Sequence, residues 1–503
     1  MTRARGPLLL PALVFLGVVS TVVGSLGAPL LPTIAREDHV SLATSQWALT
    51  ISLLAGAIAA PVLGRLGDGR HRRTVIVSAL AVVAVGCALS ALPVGFEWML
   101  VGRALQGVGL GLVPLAMAAA RDGLPAEKLA PGIALLGVTT AAGLGIGYPV
   151  VGVIAQYLGL SAAFWCGLAI TLVALVASAV VLPAGPDRPA KRLDVPAIAL
   201  LGVAVTGVLL ACAEGPQWGW TSSTLLITVV VAVVFGAAWV WWELRVPSPL
   251  VNVRLLAHPS VLAADLMVVL VGVGIYPLLS LVVRYVQTAP EDAGYGYGYA
   301  TAIAGLMLVP YSLASFLASR LTQRLMGRLT AEVVVALSSV VLIVSMVVFL
   351  TERQNLVWLT VSMFLAGFGI GVIFAVQPAQ IQRGVPAHET GSANSFYQVL
   401  RYVGYSLGSA LSATLLVVNT PASSATPDES GYSAAAWFGI GALILAVLAA
   451  TALSRRGAVR SRPGSSPVSR REQQADSAPT RNAAAARSEH PGHRRVPGPA
   501  ATD

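Results

Sequence analysis

With 503 residues, 56% of them hydrophobic and 11% charged, the chain is too apolar to present the surface of a soluble domain of its size. The net charge of +10 matters less than its location. Residues 454–503 hold ten arginines against Glu472, Asp476, Glu489 and Asp503, or +6, which leaves +4 for the rest. A Pro/Ser/Ala/Arg segment of this kind reads as a disordered, basic cytoplasmic tail rather than as a nucleic-acid surface.

The remaining sequence divides into apolar stretches long enough to cross about 30 Å of hydrocarbon, separated by short polar loops, which predicts a helical bundle rather than a barrel. The first six spans are 8–31, 46–64, 74–92, 97–120, 131–155 and 160–182. Met1-Thr2-Arg3-Ala4-Arg5 ahead of the first resembles a signal peptide, but with so many spans behind it the segment is read as an uncleaved helix. A charged linker around Asp187, Arg188, Lys191, Arg192 and Asp194 leads to spans at 195–212 and 223–242. Six more follow at 260–282, 299–319, 331–350, 356–378, 393–417 and 433–453, giving fourteen in a six, two, six plan. The expected domains are 1–182 (a six-helix half), 183–258 (linker and two additional central helices), 259–453 (the second half) and 454–503 (tail).

With the N-terminus placed in the cytoplasm, the inner segments before the tail carry 17 Lys/Arg, whereas the outer loops carry only Arg36, Arg284 and Arg353. This is the asymmetry expected of a correct span count with both termini inside. The tryptophans sit near predicted span ends, at headgroup depth. Gly107-Val-Gly-Leu-Gly111 in the fourth span recurs as Gly367-Phe-Gly-Ile-Gly371 in the twelfth, and Leu124-Pro-Ala-Glu127 recurs as Val385-Pro-Ala-His388. Parallel repeats of this length place a substrate cavity at the interface of two halves, near the bilayer midplane.

Cys87, Cys166 and Cys212 lie in apolar segments with no metal or disulfide spacing. Neither Lys128 nor Lys191 belongs to a phosphate-binding loop, which excludes an ATP-driven pump, and no hydrolytic or redox constellation is present. No enzyme activity, cofactor or metal is expected.

Gly64-Arg-Leu-Gly-Asp68-Gly-Arg-His-Arg72-Arg73, between the second and third spans, resembles the signature loop of the major facilitator superfamily. Arg103-Ala-Leu-Gln106-Gly107, Gly215-Pro-Gln-Trp-Gly-Trp220 and Arg401 with Gly404 and Gly408 extend the resemblance over roughly 10–453. The six, two, six plan is similar to that of the fourteen-helix drug:proton antiporters. The implied fold is an all-α integral membrane protein, with two six-helix halves plus two central helices.

Physically, Asp68 can meet the guanidinium of Arg72 or Arg73, or the positive end of a neighbouring helix, in only one arrangement of the halves. The resemblance makes Gly64, Asp68, Arg72 and Arg73 a gating latch that stabilises the outward-open state, with His71 standing where the family has a second glycine. The alternative is a purely topogenic basic loop. Arg103, inside an apolar span, requires a cavity or a partner. The resemblance gives it, with Gln106, a part in proton coupling, while the plainer reading is that it binds neighbouring carbonyls.

In the fifth span, Gly143, Gly147, Pro149 and Gly152 resemble the antiporter motif, with Tyr148 inserted and Val153 in place of its last glycine. The small residues also suit simple helix packing. Asp265 is the clearest intramembrane acid and the candidate proton carrier, unless it merely reaches water from the end of its span. Arg401 is the intramembrane charge of the second half, and with Arg103 it would favour anionic or zwitterionic substrates. Gly294-Tyr-Gly-Tyr-Gly-Tyr299 reads as a flexible interfacial loop rather than a stacking site. The latch looks one-sided, because Gln323 falls near the place of Asp68 in the second-half loop around residues 319–328.

The expected function is proton-coupled export of small amphipathic compounds (drugs, antibiotics or secondary metabolites) by a monomer in the plasma membrane. Its partners would be substrate, protons and the bilayer, with no nucleic acid. The alternatives are an uptake carrier and a transport-inactive sensor or scaffold that works through its tail.

Overall fold

The computed structural model describes residues 6–27, 30–40, 42–185, 194–247, 249–256, 258–386, 389–421 and 426–460. Asp187, Arg188, Lys191, Arg192 and the tail beyond Arg460 lie outside the described residues. Every long element is a helix: α1 Gly6–Gly24, α2 Trp47–Gly67, α3 Arg72–Ala91, α4 Phe96–Gly123, α5 Ala126–Leu158 and α6 Leu160–Val181. The next two are α7 Val195–Trp218 and α8 Ser223–Glu243. The last six are α9 Pro259–Gln287, α10 Leu308–Met326, α11 Ala331–Glu352, α12 Leu356–Gly384, α13 Thr390–Val418 and α14 Glu429–Arg460.

Among the described residues, 12 helices are long and apolar enough to cross a membrane. Their outward faces stay apolar, as with Leu226, Val230 and Val233 of α8, which suits lipid rather than water. The helices overlap the spans expected from the sequence but differ in length, as with α5 at 33 residues against the expected 131–155, since the bilayer sets only the length needed to cross it.

Each half has its own core. Leu13, Leu16, Leu80, Leu115 and Phe164 anchor the first. Ile275, Leu342, Phe349, Ile373 and Tyr432 anchor the second. A third cluster joins Leu201 and Val205 of α7 to Leu54 and Ala57 of α2 and Val399 of α13. The halves meet where α2 packs on α13 and α5 packs on α10 and α12; α7 lies along the α2–α13 seam.

The glycine repeat builds equivalent crossings in the two halves. A Cβ on Gly107 would overlap the Ser52 carbonyl of α2, and one on Gly109 would press on Val83 of α3. In the second half, a Cβ on Gly367 would overlap the Tyr311 carbonyl of α10, and one on Gly369 would crowd Leu342 of α11. Small residues are needed here because backbone approaches backbone. The copies differ locally: α4 passes through a 3-10 turn at Val108–Gly111, where Ser20 Oγ donates to the Gly109 carbonyl, whereas α12 stays α-helical.

Two expectations are corrected. Gln323 is not in a loop, since α10 runs to Met326 and the turn follows at Gly327. Nor is the tyrosine loop a loose segment. Tyr295 stacks on Tyr285 with centroids 5.4 Å apart, and its hydroxyl donates to the Pro427 carbonyl at 2.5 Å. The Tyr297 hydroxyl donates to the Arg353 carbonyl at 3.2 Å, beside an Arg353–Glu429 ion pair at 2.8 Å. Burial raises both phenols above their usual range, so they act as neutral donors. Aromatic edges and a helix-end ion pair immobilise what composition alone suggested was mobile.

Replacing Gly367 by Leu is expected to abolish the α10–α12 contact, because the clash is with backbone and cannot be relieved by a rotamer. Size-exclusion profiles in detergent would show loss of monodisperse protein, while Gly441→Ala, at a glycine with open space around its Cβ, would behave as the parent.

Candidate functional site: the seam between the halves

Asp68 lies just after the last turn of α2 and is 2% exposed. Its Oδ1 accepts a hydrogen bond from the backbone N–H of Gly391 at 2.9 Å. Gly391 is the second residue of α13, so an acid of one half caps a helix of the other. The helix end is receptive, because α13 has no acid in its first turn and its N-cap residue, Glu389, makes no side-chain capping bond. Free N–H groups and the positive end of the helix dipole both favour a carboxylate there. The approach depends on two glycines: a Cβ on Gly64 would overlap Ser395 Oγ, and one on Gly391 would overlap Asp68 Oδ1.

Of the partners open to Asp68 in the sequence, the helix end is the one seen here. Arg72 turns the other way, donating to Asp122 Oδ2 at 2.7 Å, to the Ala118 carbonyl at 3.0 Å and to the Gly67 carbonyl at 2.6 Å. It ties the start of α3 to the end of α4. Arg73 donates to the Ala179 carbonyl of α6. Neither crosses the seam; both brace the first half around the loop.

Two crossing arginines were not singled out from the sequence. Arg65, one helical step from Gly64, approaches Glu389 Oε1 at 3.7 Å. Arg121, at the end of α4, donates to Thr390 Oγ1, and to the Val385 carbonyl at 3.4 Å. Arg121 and Val385 flank the two copies of the Pro-Ala repeat, which was the available signal. The helix end of α13 is thus held by Arg65, Asp68 and Arg121 from the first half.

Deeper in the bundle, Arg103 is 0% exposed. Its Nε donates to the Ala48 carbonyl at 3.0 Å, and its Nη1 to the Val23 carbonyl at 3.5 Å and Gln106 Oε1 at 2.5 Å. Gln106 Nε2 in turn donates to Ser90 Oγ at 3.1 Å and the Gly86 carbonyl at 3.2 Å. The arginine therefore binds α1, α2 and α4 together through fixed acceptors. Gly143 and Gly147 of α5 pack on Thr21 and Ser25 of α1. Pro149 and Gly152 are buried on the same helix.

The second-half charges sit differently. Arg401 lies over the Phe374 ring at 4.8 Å and the Tyr402 ring at 5.6 Å, with Tyr397 and Tyr405 in electrostatic range. Tyr405 packs on Tyr276 of α9, centroids 5.1 Å apart. Tyr148 of α5 lies within electrostatic range of both Tyr276 and Arg103. A series of tyrosines thus runs across the seam from one intramembrane arginine to the other, unnoticed in the sequence because tyrosine inside a span looks like ordinary core. Asp265 is 5% exposed, so it does not reach water from its span end. Among the described residues its Oδ1 accepts no hydrogen bond. Tyr397, within electrostatic range of Asp265, donates to Gln377 Oε1 at 2.7 Å.

Two helical halves that meet through charged helix ends, with a buried arginine on either side of the seam, are the architecture of a polytopic membrane protein. The chain belongs to the Major Facilitator Superfamily, whose model matches residues 13–409.

It is 30% identical over 434 residues to an uncharacterized MFS-type transporter of Mycobacterium tuberculosis, covering 82% of this chain and 61% of that one. The chain therefore spans about three fifths of that relative's length. The multidrug resistance protein Stp of M. tuberculosis is 27% identical, with 77% and 71% covered. The tetracenomycin C resistance and export protein of Streptomyces glaucescens is 29% identical, with 76% and 71% covered. Among solved structures, the human organic anion transporter MFSD10 superposes with a TM-score of 0.62 at 16% identity, covering 88% of this chain and 99% of that one. That likeness concerns the fold.

Replacing Arg103 by Leu removes a charged donor from three acceptors at once. It is expected to lower the stability of the protein by more than the roughly 1.5–3 kcal/mol of one charged hydrogen bond, with Arg401→Leu milder. Thermal melts of purified protein in detergent compare the two.

Proposed function

We propose that this protein exports small amphipathic compounds across the plasma membrane in exchange for protons. It would do so by alternating access of its two halves, as a monomer with both termini in the cytoplasm. The observation that carries the reading is Asp68 capping α13: a bond between halves that exists only while this end of the seam is shut. With the loop on the cytoplasmic side, as its basic residues favour, that is the outward-open or occluded arrangement.

Fourteen spans are proposed, the two beyond the apolar twelve being α5, of 33 residues, and α13, of 29. Both lie at the interface between the halves, where Ser, Thr, Asn, Gln and Arg lower their hydropathy without exposing charge to lipid. Relatives named for multidrug resistance and for tetracenomycin export support efflux and drug-like cargo. The tyrosine series beside Arg401 suits ligands with flat apolar faces and some negative charge. Asp265 is the proposed proton carrier, because it is a nearly buried intramembrane carboxyl with an unbonded oxygen.

In proteoliposomes with an inward proton gradient, the parent chain is expected to move a dye such as ethidium, and a protonophore should stop it. Asp68→Asn should lower the transport rate about tenfold, as loss of one charged cap permits, while leaving dye affinity unchanged. Asp265→Asn should keep dye binding and lose the response to the gradient. Transport by Asp68→Asn at the parent rate would remove the latch from the mechanism, and efflux unaffected by the protonophore would exclude proton coupling.

A further inference from the structure

The two additional helices contribute a carboxylate to the same seam. Glu243, the last residue of α8, is 4% exposed. Its Oε1 accepts from Trp239 Nε1 at 3.0 Å and from the Val251 N–H at 3.2 Å. Among the described residues, Oε2 accepts no hydrogen bond.

A buried carboxylate with an unused oxygen is costly unless a cation is near, and one is. Arg65 lies within electrostatic range of Glu243 as well as of Glu389, Asp68 and Asp194. The other three carboxylates already have donors. Asp68 takes the Gly391 N–H, Glu389 takes Ser392 Oγ at 3.0 Å, and Asp194 takes the Ala197 N–H at 3.1 Å and Trp242 Nε1 at 2.9 Å.

The placement is held from both sides of the seam. Trp239 stacks on Phe396 of α13, centroids 5.6 Å apart, so the residue that binds Glu243 Oε1 also rests on the second half. Leu201 and Val205 of α7 pack with Leu54 and Ala57 of α2, which fixes the helix pair to the first half as well.

Separation of α2 from α13 takes Glu389 away from Arg65. A guanidinium 2% exposed while the seam is shut then loses its facing carboxylate, and the acceptor that can take it must lie on an element that stays packed on α2. We propose that Glu243 is that acceptor: as the seam opens, the Arg65 guanidinium passes from Glu389 to Glu243. The additional helix pair is thereby a working part of the gate, and Glu243 is a positioning residue for transport. This rests on the latch reading above.

The test uses the full chain with Cys87, Cys166 and Cys212 replaced by Ala and a reporter cysteine at Ser395, which is buried against Gly64 while the seam is shut. Maleimide labelling of the reporter reads opening, and dye efflux is measured on the same proteins. Glu243→Gln keeps an acceptor for Trp239 and Val251 but removes the charge. It is expected to lower labelling and the maximal efflux rate about tenfold, the change when a charged group loses one partner, with KM unchanged.

In an Arg65→Gln background the same substitution should have no further effect. If Glu243→Gln protein accumulates only when Arg65 is also replaced, the pairing is equally supported. Labelling unchanged by Glu243→Gln, an equal drop with and without Arg65, or failure to accumulate regardless of Arg65 would each overturn the proposal. Asp68→Asn in the same series separates the two claims. If it raises labelling while Glu243→Gln does nothing, the latch stands and only the exchange fails; if it leaves labelling unchanged, the latch itself fails.

Discussion

A helix inside a membrane protein must satisfy the N–H groups of its first turn within the protein, and α13 does so with an acid it does not own. The carboxylate of Asp68 arrives from the other half of the molecule, and only because Gly64 and Gly391 let the two backbones come close enough. Charge, hydrogen bonding and backbone approach are therefore satisfied together or not at all. The neighbouring contacts of Arg65 and Arg121 depend on the same approach. This gives the end of the seam two discrete states rather than a continuous range.

The second copy of the repeat does without this device for a local reason. Its α10 ends at Gly327, with no acid to offer, and its counterpart helix, α5, carries Glu127 in its own first turn. A helix that supplies its own negative charge has no need of one from the opposite half. The asymmetry extends to α4, where the glycine repeat adopts a 3-10 turn that α12 lacks.

The long apolar helices were legible in the sequence because bilayer thickness imposes them, although ends moved, as in α10, expected at 299–319 and found at Leu308–Met326; the repeat was legible because close helix crossings demand glycine. The partners of the loop were less so. Asp68 stands four residues from Arg72, and nothing local says that the start of α3 turns this arginine towards Asp122 instead. Glu389 carried no signal in the sequence, since its meaning depends on which helix of the other half lies opposite. Arg103 showed its cost in the sequence but not its remedy, because backbone carbonyls belong to every residue and leave no signature. The tyrosine series was hidden for the same reason: its members lie on α5, α9 and α13 and become neighbours only through tertiary packing.

The two buried arginines show how a charge in hydrocarbon can be either fixed or left responsive. Arg103 is held by directional bonds to carbonyls of α1 and α2 and to Gln106; moving it strands several acceptors at once, which welds three helices of one half into a rigid body. Arg401 rests on ring faces, where the attraction varies slowly with angle and survives a change of tilt. If the halves rock as proposed, the motion has to be absorbed somewhere without exposing a bare charge. The aromatic setting of Arg401, next to Tyr405 and Tyr276 at the seam, can absorb it, and the carbonyl cage of Arg103 cannot. On the proposed mechanism, that difference in bonding makes the first half the stiffer partner and the aromatic surface around Arg401 the more tolerant one.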